Sequence, residues 1–260
     1  MKPKSHALFI AAVFSFGLFT GLLLRDFLAT PIHLGASTIE APIAFKEADF
    51  PLPTVGQITD REGYTVCYDA RSKNPYYVVE VLTAESLRGS ADRSAQLFRE
   101  DEAIPRHLRA TLADYRGSGL DRGHMAPAAN HKKSVQRMAE SFFLNNVCPQ
   151  DTGLNRGYWL AFEKQVRDLT KHYKTVQVIS GPLYLPQGEP GERFVYYRCI
   201  GPNDIAVPSA FFKVLLLEHE SGAVKERSYI LPNTSIALET PLEAFQVTLQ
   251  KVEHVSGIHF

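Results

Sequence analysis

An uncharged, mostly apolar run extends from Ala7 to Leu24, preceded by Lys2 and Lys4 and closed by Arg25 and Asp26. As a helix its 18 residues would span roughly 27 Å at ~1.5 Å per residue, about the thickness of a slightly thin bilayer. The run is apolar on all sides, and no small-x-small cleavage site follows it closely. It therefore predicts an uncleaved signal anchor over residues 1–29 rather than a removed signal peptide. Residues 30–57 carry Pro31, Pro42, Pro51 and Pro53 and hold no helical or strand period, so they read as an extended tether.

From residue 58 the pattern becomes that of a folded domain reaching residue 260. Two β-rich runs, Tyr64 to Asp69 and Tyr76 to Leu82, flank the turn-prone Arg71 to Pro75 and predict a hairpin. Ala84 to Ala113 is polar and mixed in charge, which predicts loop with short helical pieces. Ser141 to Cys148 reads as a short strand and Leu154 to Leu169 as an amphipathic helix with Leu160, Phe162, Val166 and Leu169 on its apolar side. Further strands are expected at Val176 to Ser180, Phe194 to Ile200, Phe211 to Leu217 and Arg227 to Leu231, and helix within Pro241 to Ser256. This order predicts an α+β fold: a mixed or antiparallel sheet with one inserted helix.

Composition narrows the chemistry. The 260 residues are 45% hydrophobic, enough for one sizeable core, and the formal net charge is zero. No global basic field advertises a polyanionic partner, so attraction to nucleic acid would have to come from local arginines and lysines or from a metal. Cys67, Cys148 and Cys199 are widely spaced and odd in number, which indicates neither a zinc site nor a complete disulfide framework.

The candidate chemistry centres on Asp121-Arg122-Gly123-His124, followed by Met125-Ala126-Pro127. With Gly117, Gly119 and Gly123 before the histidine and Pro127 after it, the motif reads as irregular backbone. A histidine near neutral pKa beside a fixed arginine suits hydrolysis of an anionic ester. Asn155 can offer an amide oxygen to a divalent ion. Glu163, eight residues later, lies about 80° further round a regular helix, so both residues can address one ion. Plainer readings stand beside these. Asn155 also suits a helix N-terminus, and Glu163 a solvated pair with Arg167. Lys132 and Lys133 also suit a solvated face, and Trp159 suits packing better than base stacking.

Asp121 to His124, Phe143-Leu144-Asn145-Asn146-Val147-Cys148-Pro149-Gln150, Leu154-Asn155 and Glu163 together resemble the endonuclease G family. The likeness extends through Tyr64 to Asp69, Phe98 to Asp101, Asp114 to Gly119, Ser180 to Leu183 and Ala206 to Pro208. It covers roughly residues 60 to 260. Asn145 stands where relatives commonly carry serine. The resemblance implies a DNA/RNA non-specific nuclease domain with a ββα-metal (His-Me finger) active site. It implies His124 as general base, Asn155 as direct ligand of Mg²⁺ or alternatively Mn²⁺, and Glu163 holding that ion through water. Asn146 and Glu163 are then catalytic-site residues, as is Arg122, which binds the phosphate or stabilises its transition state; apart from the resemblance, the basic run with Lys132 and Lys133 suits tracking the substrate backbone by charge. It further implies DNA and RNA as substrates, 5′-phosphate products, a homodimer and attachment to the mitochondrial inner membrane facing the intermembrane space. A secreted or cell-surface nuclease would carry a similar N-terminus. The exonuclease-like sister family fits as the alternative, and a nucleic-acid-binding module without catalysis is the rival of a different class.

Overall fold

The computed structural model describes residues 56–260. The expected anchor and nearly all of the tether lie outside these residues. Seven strands form one antiparallel sheet: β1 (Gln57–Asp60), β2 (Thr65–Asp69), β3 (Asn74–Leu82), β6 (Thr175–Leu183), β9 (Ala210–Glu218), β10 (Val224–Pro232) and β11 (Gln246–Val247), side by side in that order. The expected hairpin is β2–β3. The three strands expected between residues 176 and 231, other than the one at 194–200, each extend a few residues further than the sequence pattern suggests.

Strand period separates two cores. On β9, Phe211, Leu215 and Leu217 face one side, while Phe212, Val214 and Leu216 face the other. The first side is covered by helix α3 (Trp159–Leu169), the second by helix α4 (Leu249–Ser256). Lys213 shares the α3 side by the same period, and so do Glu80 on β3 and Ser180 on β6. Register places Ser180 opposite both Val78 and Lys213. The apolar side beneath α3 therefore carries buried polar groups, and the Lys213 ammonium donates to Ser180 Oγ at 2.6 Å.

Three expectations are corrected. The motif Asp121–His124 is not irregular: it forms strand β4, paired antiparallel with β5 (Val147–Gln150). Ser141 to Cys148 is mostly not strand, because Leu144–Asn146 turns as a 3₁₀ segment before β5 begins. Phe194 to Ile200 is strand only at β7 (Cys199–Ile200), which pairs with β8 (Ile205–Ala206). Residues 194–197 have β propensity but no neighbouring strand to complete a ladder. Phe194 makes one bridge to Gln187, and the exposed aromatics pair instead, Phe194 with Tyr196 and Tyr197 with the half-buried Tyr184. The remaining helices are short: α1 (Leu112–Tyr115) and α2 (Val135–Glu140). Among the described residues no helix is long and apolar enough to cross a membrane.

Candidate active site

Strands β4 and β5 and helix α3 build the site. Gly123 pairs with Cys148, and the side chain of Gln150 crosses where a Cβ on Gly123 would stand, 2.7 Å from its own Cβ. Only glycine lets the two strands close here. The backbone that follows is held by Asn146. Its Oδ1 accepts from Ala126 N at 2.9 Å, and its Nδ2 donates to the carbonyls of Ala126 (2.9 Å) and Ser141 (2.8 Å). Its own carbonyl accepts from Met125 N at 2.9 Å. The side chain is fully buried and ties the backbone after His124, at Ala126, to the carbonyl of Ser141. Of the roles open to Asn146, the contacts are those of a residue that positions the histidine segment.

His124 sits at the end of β4, 7% exposed. Its ring packs 5.1 Å from both Phe98 and Phe142, and Trp159 Nε1 donates to its carbonyl at 3.4 Å. Burial first, then the charges of Arg93, His131 and Arg122, pushes its pKa down to about 3. Its Nε2 is buried without a hydrogen-bond partner in the described residues. Arg122 lies 4.5 Å over the ring of Phe98, and among the described residues no carboxylate pairs with its guanidinium.

Asn155 does not cap its helix. Asp151 does, accepting Leu154 N on its side chain at 2.9 Å. Asn155 belongs instead to a π turn, Leu154–Tyr158, where Trp159 N bonds back to the Leu154 carbonyl. A π turn inserts one residue into the helical count. The eight residues from Asn155 to Glu163 then behave as seven α-helical steps. The two side chains are about 20° apart round the axis instead of about 80°. Local sequence patterning carries no sign of that extra residue, yet it brings the pair onto one face.

The Asn155 amide is oriented by Asp121. The Nδ2 donates to Asp121 Oδ2 at 2.8 Å, and a carboxylate is acceptor-only, so the amide oxygen is the end left free. Arg156 completes the arrangement by gripping the same carboxylate with two bonds, Nε to Oδ2 at 2.8 Å and Nη2 to Oδ1 at 2.9 Å. Hydrogen bonds from Arg156 hold the Asp121 carboxyl below its ordinary range despite some burial.

Glu163 is not a solvated helix residue. It lies on the buried side of α3 with Trp159, Phe162 and Val166, while Leu160, expected on the apolar side, is exposed. Burial pushes its pKa up to about 7, against the opposing charges of Lys213 and Arg167. Arg167 itself donates to Asn130 Oδ1 at 3.2 Å, and Asn130 donates to Glu80 at 3.1 Å. Arg93, Arg167, Glu80 and Lys213 thus surround the site, and of these the sequence pattern singles out only Arg167, as a partner of Glu163. A single lysine in Ala-Phe-Phe-Lys-Val-Leu-Leu-Leu and a single glutamate in Val-Val-Glu-Val-Leu are the signals it carries.

Lys132 and Lys133 are exposed on the segment after the 3₁₀ turn Ala128–Asn130. Lys133 pairs with Glu85 at 3.2 Å, and among the described residues no hydrogen bond or ion pair links either lysine to His124, Asn155 or Glu163. Trp159 is 1% exposed, so it packs and cannot stack on a base. Cys67 and Cys148 are buried and Cys199 is exposed, all without a disulfide.

Comparison with known proteins identifies the family and the fold. The profile of the DNA/RNA non-specific endonuclease family matches residues 42–260. The chain is 46% identical over 214 residues to human "Endonuclease G, mitochondrial", covering 82% of this chain and 72% of the relative. It is 42% identical to "Mitochondrial nuclease" of Saccharomyces cerevisiae, covering 84% and 69%, and 38% identical to human "Nuclease EXOG, mitochondrial", covering 92% and 68%. A crystal structure of an EndoG/EndoGI complex superimposes with a TM-score of 0.77 at 41% identity, covering 79% of this chain and 86% of that one. With a family match over residues 42–260 and relatives this similar in sequence and in fold, the chain belongs to the DNA/RNA non-specific endonuclease family, in its endonuclease G branch, and is a nuclease.

Proposed function

We propose that the chain hydrolyses phosphodiesters of DNA and RNA internally and without base specificity, with His124 as general base and a divalent ion held by Asn155. The observation that most supports this is the partnerless, buried Nε2 of an imidazole kept neutral by its surroundings. A neutral imidazole accepts a proton from a water whose oxygen attacks phosphorus. The P–O3′ bond then opens, leaving a 5′-phosphate, and the 3′ oxygen takes a proton from solvent. The low pKa of the free protein does not oppose this role, because an anionic phosphate arriving beside the ring favours the protonated form. Arg122, with the face of Phe98 as its neighbour, binds the phosphate, and Lys132 and Lys133 track the neighbouring backbone by charge.

The donors fit a hard ion. Asn155 offers a free amide oxygen, Glu163 a buried carboxylate suited to holding coordinated water, and Asp121 is already engaged. Among the described residues no group of three His, Cys, Asp or Glu gathers as a cage, which suits Mg²⁺, or Mn²⁺ in its place, with most of its waters retained. When bound, such an ion neutralises charge building on the phosphate and leaving oxygen. The retained His124, Asn155 and Glu163 disfavour a module that only binds. In keeping with the relatives' names, we propose a mitochondrial location; attachment through residues 1–29 rests on the apolar run Ala7 to Leu24, and a homodimer on the family resemblance alone.

Circular plasmid incubated with Mg²⁺ and with chelator tests the reading. Nicked and linear products that vanish with chelator are expected. An intact circle beside degraded linear DNA would instead assign the exonuclease activity of the sister branch. No cleavage of either would overturn the proposal.

A further inference from the structure

A groove of about 390 Å³ lies against the site, lined by Leu112, Tyr115, Arg116, Leu120, Asp121 and Arg122. It starts at two residues of the candidate site, Asp121 and Arg122, and continues to helix α1 and the turn after it. Its charges are not balanced. Arg116 is exposed, and its guanidinium makes no hydrogen bond or ion pair among the described residues. Arg122 has only the face of Phe98 among these residues. The groove's carboxylate, Asp121, is taken up by Asn155 and both arms of Arg156. In a chain of zero formal charge, two uncompensated guanidiniums in one groove mark a place for an anion.

The turn that carries Arg116 is braced. Arg198 Nη2 donates to the Ser118 carbonyl at 2.7 Å, and Leu120 N donates to Ser118 Oγ at 3.1 Å. Gly119, at a φ of 77°, supplies the left-handed residue that lets this turn run into β4. Leu112 and Leu120 add an apolar wall, Leu112 being 38% exposed. A charged arginine with an apolar wall matches a sugar carrying a phosphate, and continuity with Arg122 matches a strand rather than a free ion.

We propose that this groove holds the nucleotide next to the scissile phosphate, with Arg116 on that nucleotide's own phosphate and Leu112 and Leu120 against its sugar. The inference rests on the nuclease reading and extends it to a second phosphate contact. Binding of a short single-stranded oligonucleotide, read by fluorescence anisotropy over a salt series, tests it in the full chain carrying His124→Ala so that no turnover intervenes. Adding Arg116→Ala should weaken binding on the order of tenfold. It should also flatten the plot of log affinity against log salt by about 0.7, one single-strand phosphate contact. Arg116→Lys should restore the slope. An unchanged affinity, or a weaker affinity at unchanged slope, would overturn the proposal. Plasmid cleavage by the wild-type chain is read separately, so an inactive wild type that still shows the slope change leaves the groove standing. An active wild type without that change removes the groove alone.

Discussion

Burial moves the two ionisable groups at the centre of the site in opposite senses for stability. His124 titrates near 6.5 when unfolded and near 3 when folded. Below pH 6.5 the unfolded chain therefore binds a proton that the native one does not. This contribution is lost as pH falls, by ~1.4 kcal/mol per unit, until the folded pKa is reached. Glu163 titrates near 4.5 when unfolded and at about 7 in the fold. Its contribution is complete below 4.5 and is lost as pH rises through about 7, so between 4.5 and 6.5 the two oppose each other. Metal-free Glu163→Gln should accordingly lose stability more steeply than the wild type on acidification across that window, measured by urea denaturation at its two ends. Parallel losses would show that Glu163 is not held protonated by its surroundings. Asp121 acts through Asn155. Asp121→Asn allows the Asn155 amide to turn either way, so cleavage should demand on the order of tenfold more Mg²⁺. An unchanged metal dependence would count against the orienting role.

Two elements carry geometry that residue types alone do not announce. The close approach of β4 and β5 at Gly123 leaves no room for a Cβ beside Gln150. Gly123→Ala should destabilise the fold by about 1–3 kcal/mol, seen as a lower denaturation midpoint. A midpoint within error of the wild type would mean that the strands give way easily. The π turn within Leu154–Tyr158 aligns Asn155 with Glu163. Most of the large sheet was legible because β2, β3, β6, β9 and β10 contain short runs rich in β-branched, aromatic and leucine residues, β9 being buried on both faces. The π turn leading into helix α3 was not, because one extra residue changes the phase without changing composition. Nor was the exposed stretch 194–197, whose β propensity has no neighbouring strand to satisfy. His124, Arg122, Asn155 and Glu163 stand out in the sequence as candidates by motif and spacing. Arg93, Glu80 and Lys213 do not, because they meet these residues only where sheet, loop and helix come together.

For the whole molecule, the family match beginning at residue 42 sets an expectation for truncation. A chain starting at Pro42 should be soluble, folded by circular dichroism and active on plasmid; an aggregated or unfolded product would show that the segment before it belongs to the core. Substrate attraction should be local in origin, since the formal charge is zero. Replacing Lys132 and Lys133 together by alanine should weaken duplexes of unrelated sequence by similar factors and reduce the salt slope by up to about 0.9 per lost contact. A loss confined to one sequence would contradict backbone recognition. The central claim is that His124 moves the proton and Asn155 holds the ion, and these roles fail differently. Cleavage rate across a Mg²⁺ titration for folded His124→Ala and Asn155→Ala separates them most directly. His124→Ala should lose about 10²- to 10⁴-fold at every Mg²⁺ concentration, whereas Asn155→Ala should recover in part as Mg²⁺ rises. Near-normal cleavage by folded His124→Ala, or its rescue by Mg²⁺, would contradict the account.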